Sequence, residues 1–168
     1  QEAPVRPIVV QTPVRIAEGP SWIAAHPAPD GRLSIEFHLD YPGHPEIGRQ
    51  SIATTLTPER FRAELAPCRT FLLESEAQQI VQQGIGGRVT TADLLVLAQH
   101  GPIGNHLRFQ NECARHKALD VVGDLALTGR PVVGKIVAYR SSHRLNARLA
   151  QLLIDRFAER RDAWKEAS

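Results

Sequence analysis

Residues 33–40 constrain the fold of this chain more than any other segment, because apolar and polar side chains alternate there without a break. The apolar positions are Leu33, Ile35, Phe37 and Leu39, and the polar positions are Ser34, Glu36, His38 and Asp40. Successive side chains of a strand point to opposite faces of its sheet, so a period of two predicts a strand with one buried face. The rest of the chain must therefore provide a layer that covers this face.

The remaining segments predict further strands and helices, without internal repeats. We predict strands at 51–56, 70–73, 94–98 and 132–139, and a turn-rich hairpin connection at 41–48. We predict helices starting at Thr57-Pro58-Glu59 and at a Ser75–Gln78 capping box, and others over 112–127 and from Arg144 to about Glu166. Together these elements favour an α+β fold, a two-layer sandwich with helices packed on one face of a mostly antiparallel sheet.

The first 30 residues contain half of the 12 prolines in the chain. Because proline is tolerated at sheet edges but not in central strands, this stretch predicts a connector that leads into one or two edge strands. The chain contains no methionine. We therefore expect it to be a piece of a longer polypeptide.

The composition, with 42% hydrophobic and 23% charged residues, is that of a globular protein. The longest uncharged apolar run, 94–98, is far shorter than the roughly 20 residues of a membrane span, and no signal-like segment is present, so we expect a soluble, cytoplasmic chain. The 20 basic and 18 acidic residues are scattered, and aromatic residues make up 5%. These features predict no nucleic-acid partner. Cys68 and Cys113 match neither a disulfide framework nor a zinc-ribbon spacing, and we interpret them as small buried hydrophobic residues.

The predicted helix over 112–127 holds the first candidate site. Glu112, His116, Asp120 and Asp124 recur every four residues, within an arc of roughly 120°, opposite an apolar face. A histidine and an aspartate one turn apart can reach the same metal ion. A solvated polar face explains the same spacing, and two ligands do not complete a catalytic zinc site, which usually has three protein ligands.

The second candidate is His143, which lies between a predicted strand and a predicted helix, where side chains often face a cleft. Histidine titrates near neutral pH, although most isolated surface histidines have no catalytic role. We interpret the other five histidines as structural or exposed. Gly84-Ile85-Gly86-Gly87 lacks the context of a phosphate loop and is better explained as a tight turn.

Four segments occur in a recognisable order: Arg69-Thr70-Phe71, Leu107-Arg108-Phe109, the run from Arg115 to Leu125, and the run from Ala138 to Asn146. The His-Lys-x-Leu-Asp-x-x-Gly-Asp run followed by Tyr-x-Ser-x-His resembles the UDP-3-O-acyl-N-acetylglucosamine deacetylases, zinc amidases of lipid A biosynthesis. The resemblance extends from about Ile8 to Leu153. It implies that residues 1–168 are the second, C-terminal domain of a two-domain deacetylase whose first domain is absent from this chain.

The resemblance also implies zinc as the cofactor, UDP-3-O-acyl-N-acetylglucosamine as the substrate, and roles for eight side chains. These are His116 and Asp120 as zinc ligands, His143, Asp124 and Thr70 as catalytic groups, and Phe71, Lys117 and Arg140 as substrate contacts. Asp124 would orient His143 and favour its charged form. Residues from about 84 to 98 would lie in a small inserted βαβ-like unit that takes the acyl chain, although a plain core strand explains the apolar run equally well.

In the family, the third zinc ligand and the general base come from the first domain, in cis or in trans, so the isolated chain is expected to be inactive and to bind zinc weakly. This chain departs from the family pattern at Ser142 and His106, where glycine is usual, and at Arg140, where lysine is usual. Two alternatives to the enzyme remain open: a non-catalytic homologue that binds a sugar nucleotide, and a half-enzyme that needs a separate first domain.

Overall fold

A computed structural model of the chain describes residues 5–84, 90 and 93–158. Its larger sheet contains six strands: β1 (Ile8–Val9), β2 (Val14–Glu18), β3 (Ser21–His26), β4 (Leu33–Asp40), β5 (Arg49–Thr55) and β9 (Val132–Tyr139). The hydrogen-bonded order is β2-β3-β9-β4-β5, and β1 pairs with the start of β9. β1 and β4 run parallel to β9, while β2–β3, β3–β9 and β4–β5 are antiparallel.

The alternation in β4 divides the sheet into two faces, as its sequence predicts. Ile35, Phe37 and Leu39 are buried on one face, and the register places Ile35 beside Ile136 and Phe37 beside Ala138 of β9. The intervening side chains form polar contacts on the other face. There Lys135 Nζ lies 2.7 Å from Glu36 Oε2.

Two long helices, α3 (Glu112–Ala126) and α4 (His143–Phe157), cover the buried face. α3 packs on β4 and β5, α4 packs on β1, β2 and β3, and the two helices contact each other. Leu125 of α3 and Leu145, Leu149 and Leu153 of α4 are almost fully buried in this layer. The predicted sandwich of helices on one face of a sheet is therefore confirmed.

The C-terminal helix differs from its prediction at both ends. It begins at His143 rather than Arg144, because Ser142 acts as its cap, and it ends at Phe157 rather than near residue 166. Ala158 leaves the helical conformation with φ −75° and ψ 118°. The predicted end of this helix lies outside the described residues.

A second, three-stranded sheet consists of β6 (Thr70–Leu73), β7 (Leu94–Ala98) and β8 (Gly101–Pro102). β6 and β7 are parallel and are joined through α2 (Glu74–Gln82), so Thr70–Ala98 forms a βαβ unit. The predicted capping box at Ser75 and Gln78 is wrong. α2 starts at Glu74, and Glu76 accepts a hydrogen bond from the Leu73 amide at 2.8 Å.

The structure corrects the prediction for residues 19–26 and confirms the predicted helix start at Thr57. Ser21–His26, which the sequence analysis included in the connector with its edge strands, is β3, an interior strand between β2 and β9. Thr57 caps α1 (Pro58–Arg60) as predicted, accepting from the Arg60 amide, and a π-helical turn over Phe61–Leu65 follows directly.

Cys68 and Cys113 are buried thiols without a disulfide, as the sequence predicts. No helix within the described ranges combines the length and apolar character needed to cross a bilayer. Gly84 ends the described segment after α2 with a φ of 71°. The rest of the glycine-rich turn predicted at 84–87 lies outside the described residues.

Candidate metal and substrate site

Three side chains of α3, at positions 116, 120 and 124, form a partly buried polar row along the helix. His116 Nε2 is 3.4 Å from Asp120 Oδ1, so the two groups that the sequence spacing brings together do meet. The other carboxylate oxygen, Asp120 Oδ2, accepts a hydrogen bond from Lys117 Nζ at 2.6 Å. Each oxygen of Asp120 therefore faces a different neighbour.

His143 joins this group from a second element. β9 ends at Tyr139, and the chain turns so that His143, the first residue of α4, lies beside α3. Its Nδ1 is 2.9 Å from Asp124 Oδ2, and its Nε2 is 3.7 Å from Asp120 Oδ2. With 69% of its side chain exposed, the ring remains open to a ligand. The structure thus brings together the four residues from two helices that the family motif connects.

Ser142, where the resemblance predicts a glycine, fits this turn without strain. Its φ of −133° and ψ of 164° are extended values that any residue adopts. Its hydroxyl accepts from the Leu145 amide at 3.4 Å and so caps α4. Arg140, by contrast, has a φ of 51°, in the left-handed region that non-glycine residues seldom occupy.

Asn146 and Ser141, for which the sequence predicted no role, hold this group in place through buried hydrogen bonds. Asn146 is fully buried, and its amide Nδ2 donates to Asp124 Oδ2 at 2.9 Å. Its Oδ1 accepts from the Ser141 hydroxyl at 2.7 Å. Asn146 lies three and four residues from buried positions of the apolar stripe of α4. A polar residue at the spacing of the apolar stripe is the sequence signal that could have identified this buried role.

His116 is held between Phe71 and the site carboxylates. The rings of Phe71 and His116 pack edge to face with centroids 6.1 Å apart. Burial lowers the pKa of His116 below its usual value, and neighbouring Asp120 and the Cys68 backbone oppose that shift without reversing it. Neutral imidazole is therefore favoured, which is the form that binds a metal.

The donor atoms of His116 and Asp120 fit a zinc ion, since an imidazole nitrogen and a carboxylate oxygen are common zinc ligands. Among the residues that the structure describes, no group of three or more histidine, cysteine, aspartate or glutamate side chains could hold a metal. Within the described part of the chain, His116 and Asp120 are therefore a candidate pair of ligands.

Lys117 and Arg140 line one cavity of about 400 Å³ next to the metal-ligand pair. The Tyr41–Gly48 connection forms its other wall with Tyr41, Pro42 and His44. Burial, followed by the charge of Glu76, raises the pKa of the Tyr41 hydroxyl, so this group stays protonated. Lys117 and Arg140 bring two positive charges to this cavity against the single carboxylate of Asp40, a balance that suits an anionic ligand.

Thr70 is exposed at the start of β6, directly before Phe71. Next to β6, residues of α2, Val96 of β7 and Ile103, which follows β8, line a mostly apolar groove of about 400 Å³. Its apolar lining residues are Ala77, Val81, Val96 and Ile103. In β7 itself Leu95 and Leu97 are buried core residues. The run at 94–98 therefore contributes both to the core and to the groove.

Glu112 does not belong to the exposed polar face on which its spacing placed it. It is fully buried and forms an ion pair with Arg69, with Oε1 2.9 Å from the guanidinium Nε. Side chains four residues apart on a helix advance by about 40° around its axis. Over three such steps the first residue of the series is turned into the core.

Comparisons with known proteins identify the family of this chain. The family model described as LpxC, UDP-3-O-acyl N-acetylglycosamine deacetylase, matches residues 1–155. A UDP-3-O-acyl-N-acetylglucosamine deacetylase of Thermosynechococcus vestitus is 40% identical over 155 residues, covering 91% of this chain and 52% of the relative. The enzyme of the same name from Chlamydia abortus is 39% identical over 144 residues, covering 85% of this chain and 51% of the relative.

Fold, site and comparisons together define a deacetylase-type α+β domain with a polar cluster at one end of its sheet. The chain belongs to the UDP-3-O-acyl-N-acetylglucosamine deacetylase family. It spans about half the length of the curated relatives that it matches.

Proposed function

We propose that this chain is the part of a zinc-dependent deacetylase that carries two zinc ligands and the catalytic histidine. The reaction is removal of the N-acetyl group from UDP-3-O-acyl-N-acetylglucosamine, in the cytoplasm. The observation that carries the proposal is the convergence of His116, Asp120, Asp124 and His143 from two helices, in which three successive contacts of 2.9–3.7 Å join His116 to Asp120, Asp120 to His143 and His143 to Asp124. The remaining zinc ligand and the general base would come from a first domain, in cis or in trans.

In this proposal His116 Nε2 and Asp120 Oδ1 would hold a zinc ion, which would supply Lewis-acid chemistry and lower the pKa of a water molecule towards about 7. Burial keeps the His116 imidazole neutral for this role. The carboxylate of Asp120 is also held by Lys117 at 2.6 Å, which fixes its orientation.

His143 supplies positive charge or a proton beside the scissile amide. Asp124 accepts from Nδ1 at 2.9 Å, which orients the ring and directs Nε2 towards the Asp120 side of the cluster. A cation at this position stabilises the developing oxyanion or protonates the leaving amine, and Thr70 adds a hydroxyl to the same reaction.

The two cavities suit the two ends of the substrate. Lys117 and Arg140 would bind the diphosphate, which agrees with their place in one cavity beside the site. Phe71 would contact the sugar. The groove between α2 and β7 would take the acyl chain, because its lining is largely apolar.

The proposal can be tested with a hybrid enzyme, the Thermosynechococcus vestitus relative whose matched half is replaced by this chain. We expect the hybrid to release acetate from the acylated UDP-sugar and to contain zinc. His116→Ala should remove the zinc. His143→Ala should retain it while lowering turnover by roughly 10²–10⁴-fold.

The matched control is His38→Ala, because His38 forms a similar ion pair with Glu36 on the opposite face of the sheet. It should leave both zinc content and turnover unchanged. A folded hybrid that binds UDP but neither holds zinc nor releases acetate would contradict the proposal and favour a non-catalytic sugar-nucleotide-binding homologue.

A further inference from the structure

A buried ion pair connects the strand that carries Thr70 and Phe71 to the helix that carries His116 and Asp120. Arg69 immediately precedes β6, and Glu112 is the first residue of α3. The exposed fraction of the side chain is 6% for Arg69 and zero for Glu112. The guanidinium contacts both carboxylate oxygens, Nε to Oε1 at 2.9 Å and Nη2 to Oε2 at 3.0 Å.

The same carboxylate also holds two backbone amides. The Arg69 amide donates to Oε1 at 3.1 Å, and the Arg108 amide donates to Oε2 at 2.6 Å. Arg69 Nη2 further donates to the His106 carbonyl at 2.7 Å. One glutamate therefore fixes three segments together: the start of β6, the loop at 106–108 and the first turn of α3.

Site residues lie directly beyond both ends of this ion pair. Thr70 and Phe71 follow Arg69 in the chain, and the Phe71 ring packs on His116. His116 is one helical turn after Glu112. The pair therefore connects the backbone of β6 with the backbone of α3 at the point where the two elements enter the site.

Stability alone is a weak explanation for such a pair. Removing two charges from water costs about as much as their attraction returns, and apolar replacements are often as stable. A bidentate guanidinium–carboxylate contact, however, fixes distance and orientation more narrowly than apolar packing does. A displacement of about 1 Å in a reacting group can lower a rate by about 100-fold.

We propose that Arg69 and Glu112 are positioning residues that set Thr70 and Phe71 against the His116–Asp120 pair. The consequence for catalysis rests on the proposed deacetylase function. The consequence for geometry concerns this chain alone and can be measured without any reaction.

The geometric test uses ¹⁹F NMR of the full chain with its five phenylalanines replaced by 4-fluorophenylalanine. Phe71→Leu and Phe37→Leu assign the two signals of interest. In Glu112→Gln and in Arg69→Lys, which keeps the charge but loses the planar fork, the Phe71 signal should shift or broaden. The Phe37 signal, from the sheet core, should stay in place. Arg69→Lys keeps the test decisive if Glu112→Gln does not fold.

The catalytic test uses the same variants in the hybrid enzyme. We expect kcat to fall by about 10–100-fold with KM within about threefold of the parent value. The double variant Arg69→Met, Glu112→Met removes both charges and separates stability from positioning. If its urea midpoint equals that of the parent chain, its kcat should still be lower than the parent value. Glu36→Gln, at the exposed pair with Lys135, is the control and should change neither readout.

A Phe71 signal and a kcat that both match those of the parent in Arg69→Lys would overturn the proposal. So would a folded double Met variant with the parent kcat. If the Phe71 signal moves while the parent hybrid shows no deacetylation at all, the positioning role stands and the proposed function fails.

Discussion

Replacing Asn146 with alanine should destabilise this chain strongly, because Asn146 is the buried link between α4 and the site carboxylate Asp124. Its amide donates to Asp124 Oδ2 at 2.9 Å and accepts from the Ser141 hydroxyl at 2.7 Å. The residue is fully buried, so water cannot replace either partner without reorganisation. Alanine would leave a buried hydroxyl and a charged oxygen each short of one partner.

The size of the effect follows from these two bonds. A hydrogen bond to a charged group contributes about 1.5–3 kcal/mol, and one between neutral groups about 0.5–1.5 kcal/mol. We therefore expect Asn146→Ala to lower the free energy of unfolding by about 2–4.5 kcal/mol. Because Asp124 would lose one of the donors that hold it, turnover of the hybrid enzyme should fall as well.

Urea unfolding of the chain, followed by circular dichroism, measures the loss directly. Gln151→Ala is the matched control. The Gln151 amide donates to Asp155 Oδ1 at 2.8 Å in an exposed position one helical turn away, and its replacement should cost about 0.5 kcal/mol or less. If Asn146→Ala costs no more than Gln151→Ala, the buried hydrogen bonds of Asn146 do not support the site.

Three further predictions concern the framework around the site. Ser142→Ala should lower the free energy of unfolding by about 1 kcal/mol and Ser142→Gly by only a few tenths, because the hydroxyl caps α4; equal thermal melts would refute the cap. Gly134→Ala should destabilise the chain by about 1–3 kcal/mol, since a Cβ there would lie 2.7 Å from Val10 Cγ2. Gly123→Ala in α3 should instead stabilise the chain by up to about 1 kcal/mol, because a Cβ added there would have no neighbouring atom from outside the helix backbone within 4 Å. Urea midpoints that move in the same direction for both variants would contradict this. Burial acts to raise the pKa of Glu112, but the bonds from Arg69 and from backbone amides lower it below 4.5 overall. Its stabilisation is therefore present above about pH 4.5 and is lost as the pH falls through the lower pKa of the folded state. Glu112→Gln should flatten the acid limb of a plot of stability against pH, and an unchanged limb would exclude this contribution.

Patterns within one element were sufficient to predict most of the fold. The period of two over 33–40 identified β4 and its buried face, and the cap at Thr57 identified the start of α1. The interior strand Ser21–His26 was missed because it is short and has three consecutive buried residues rather than an alternating pattern. Pairing on both sides buries such a strand, and only the tertiary structure shows that pairing.

The site divides in the same way between local and long-range information. Helical spacing grouped His116, Asp120 and Asp124, the position between a predicted strand and a predicted helix indicated His143, and the resemblance to the family connected the two. The hydrogen bonds and ion pairs that hold these residues in place join residues that are far apart in the sequence. Arg69 and Glu112 are 43 positions apart, and no period or motif in the sequence connects a buried arginine with its partner.

The most direct test of the central claim is zinc-edge anomalous diffraction from crystals of the hybrid enzyme. We expect one zinc ion, bound by His116 Nε2 at about 2.0–2.1 Å and by an Asp120 oxygen at about 2.0–2.2 Å. His143 should face the ion without binding it. An anomalous peak elsewhere, with His116 and Asp120 still paired only to each other, would contradict it.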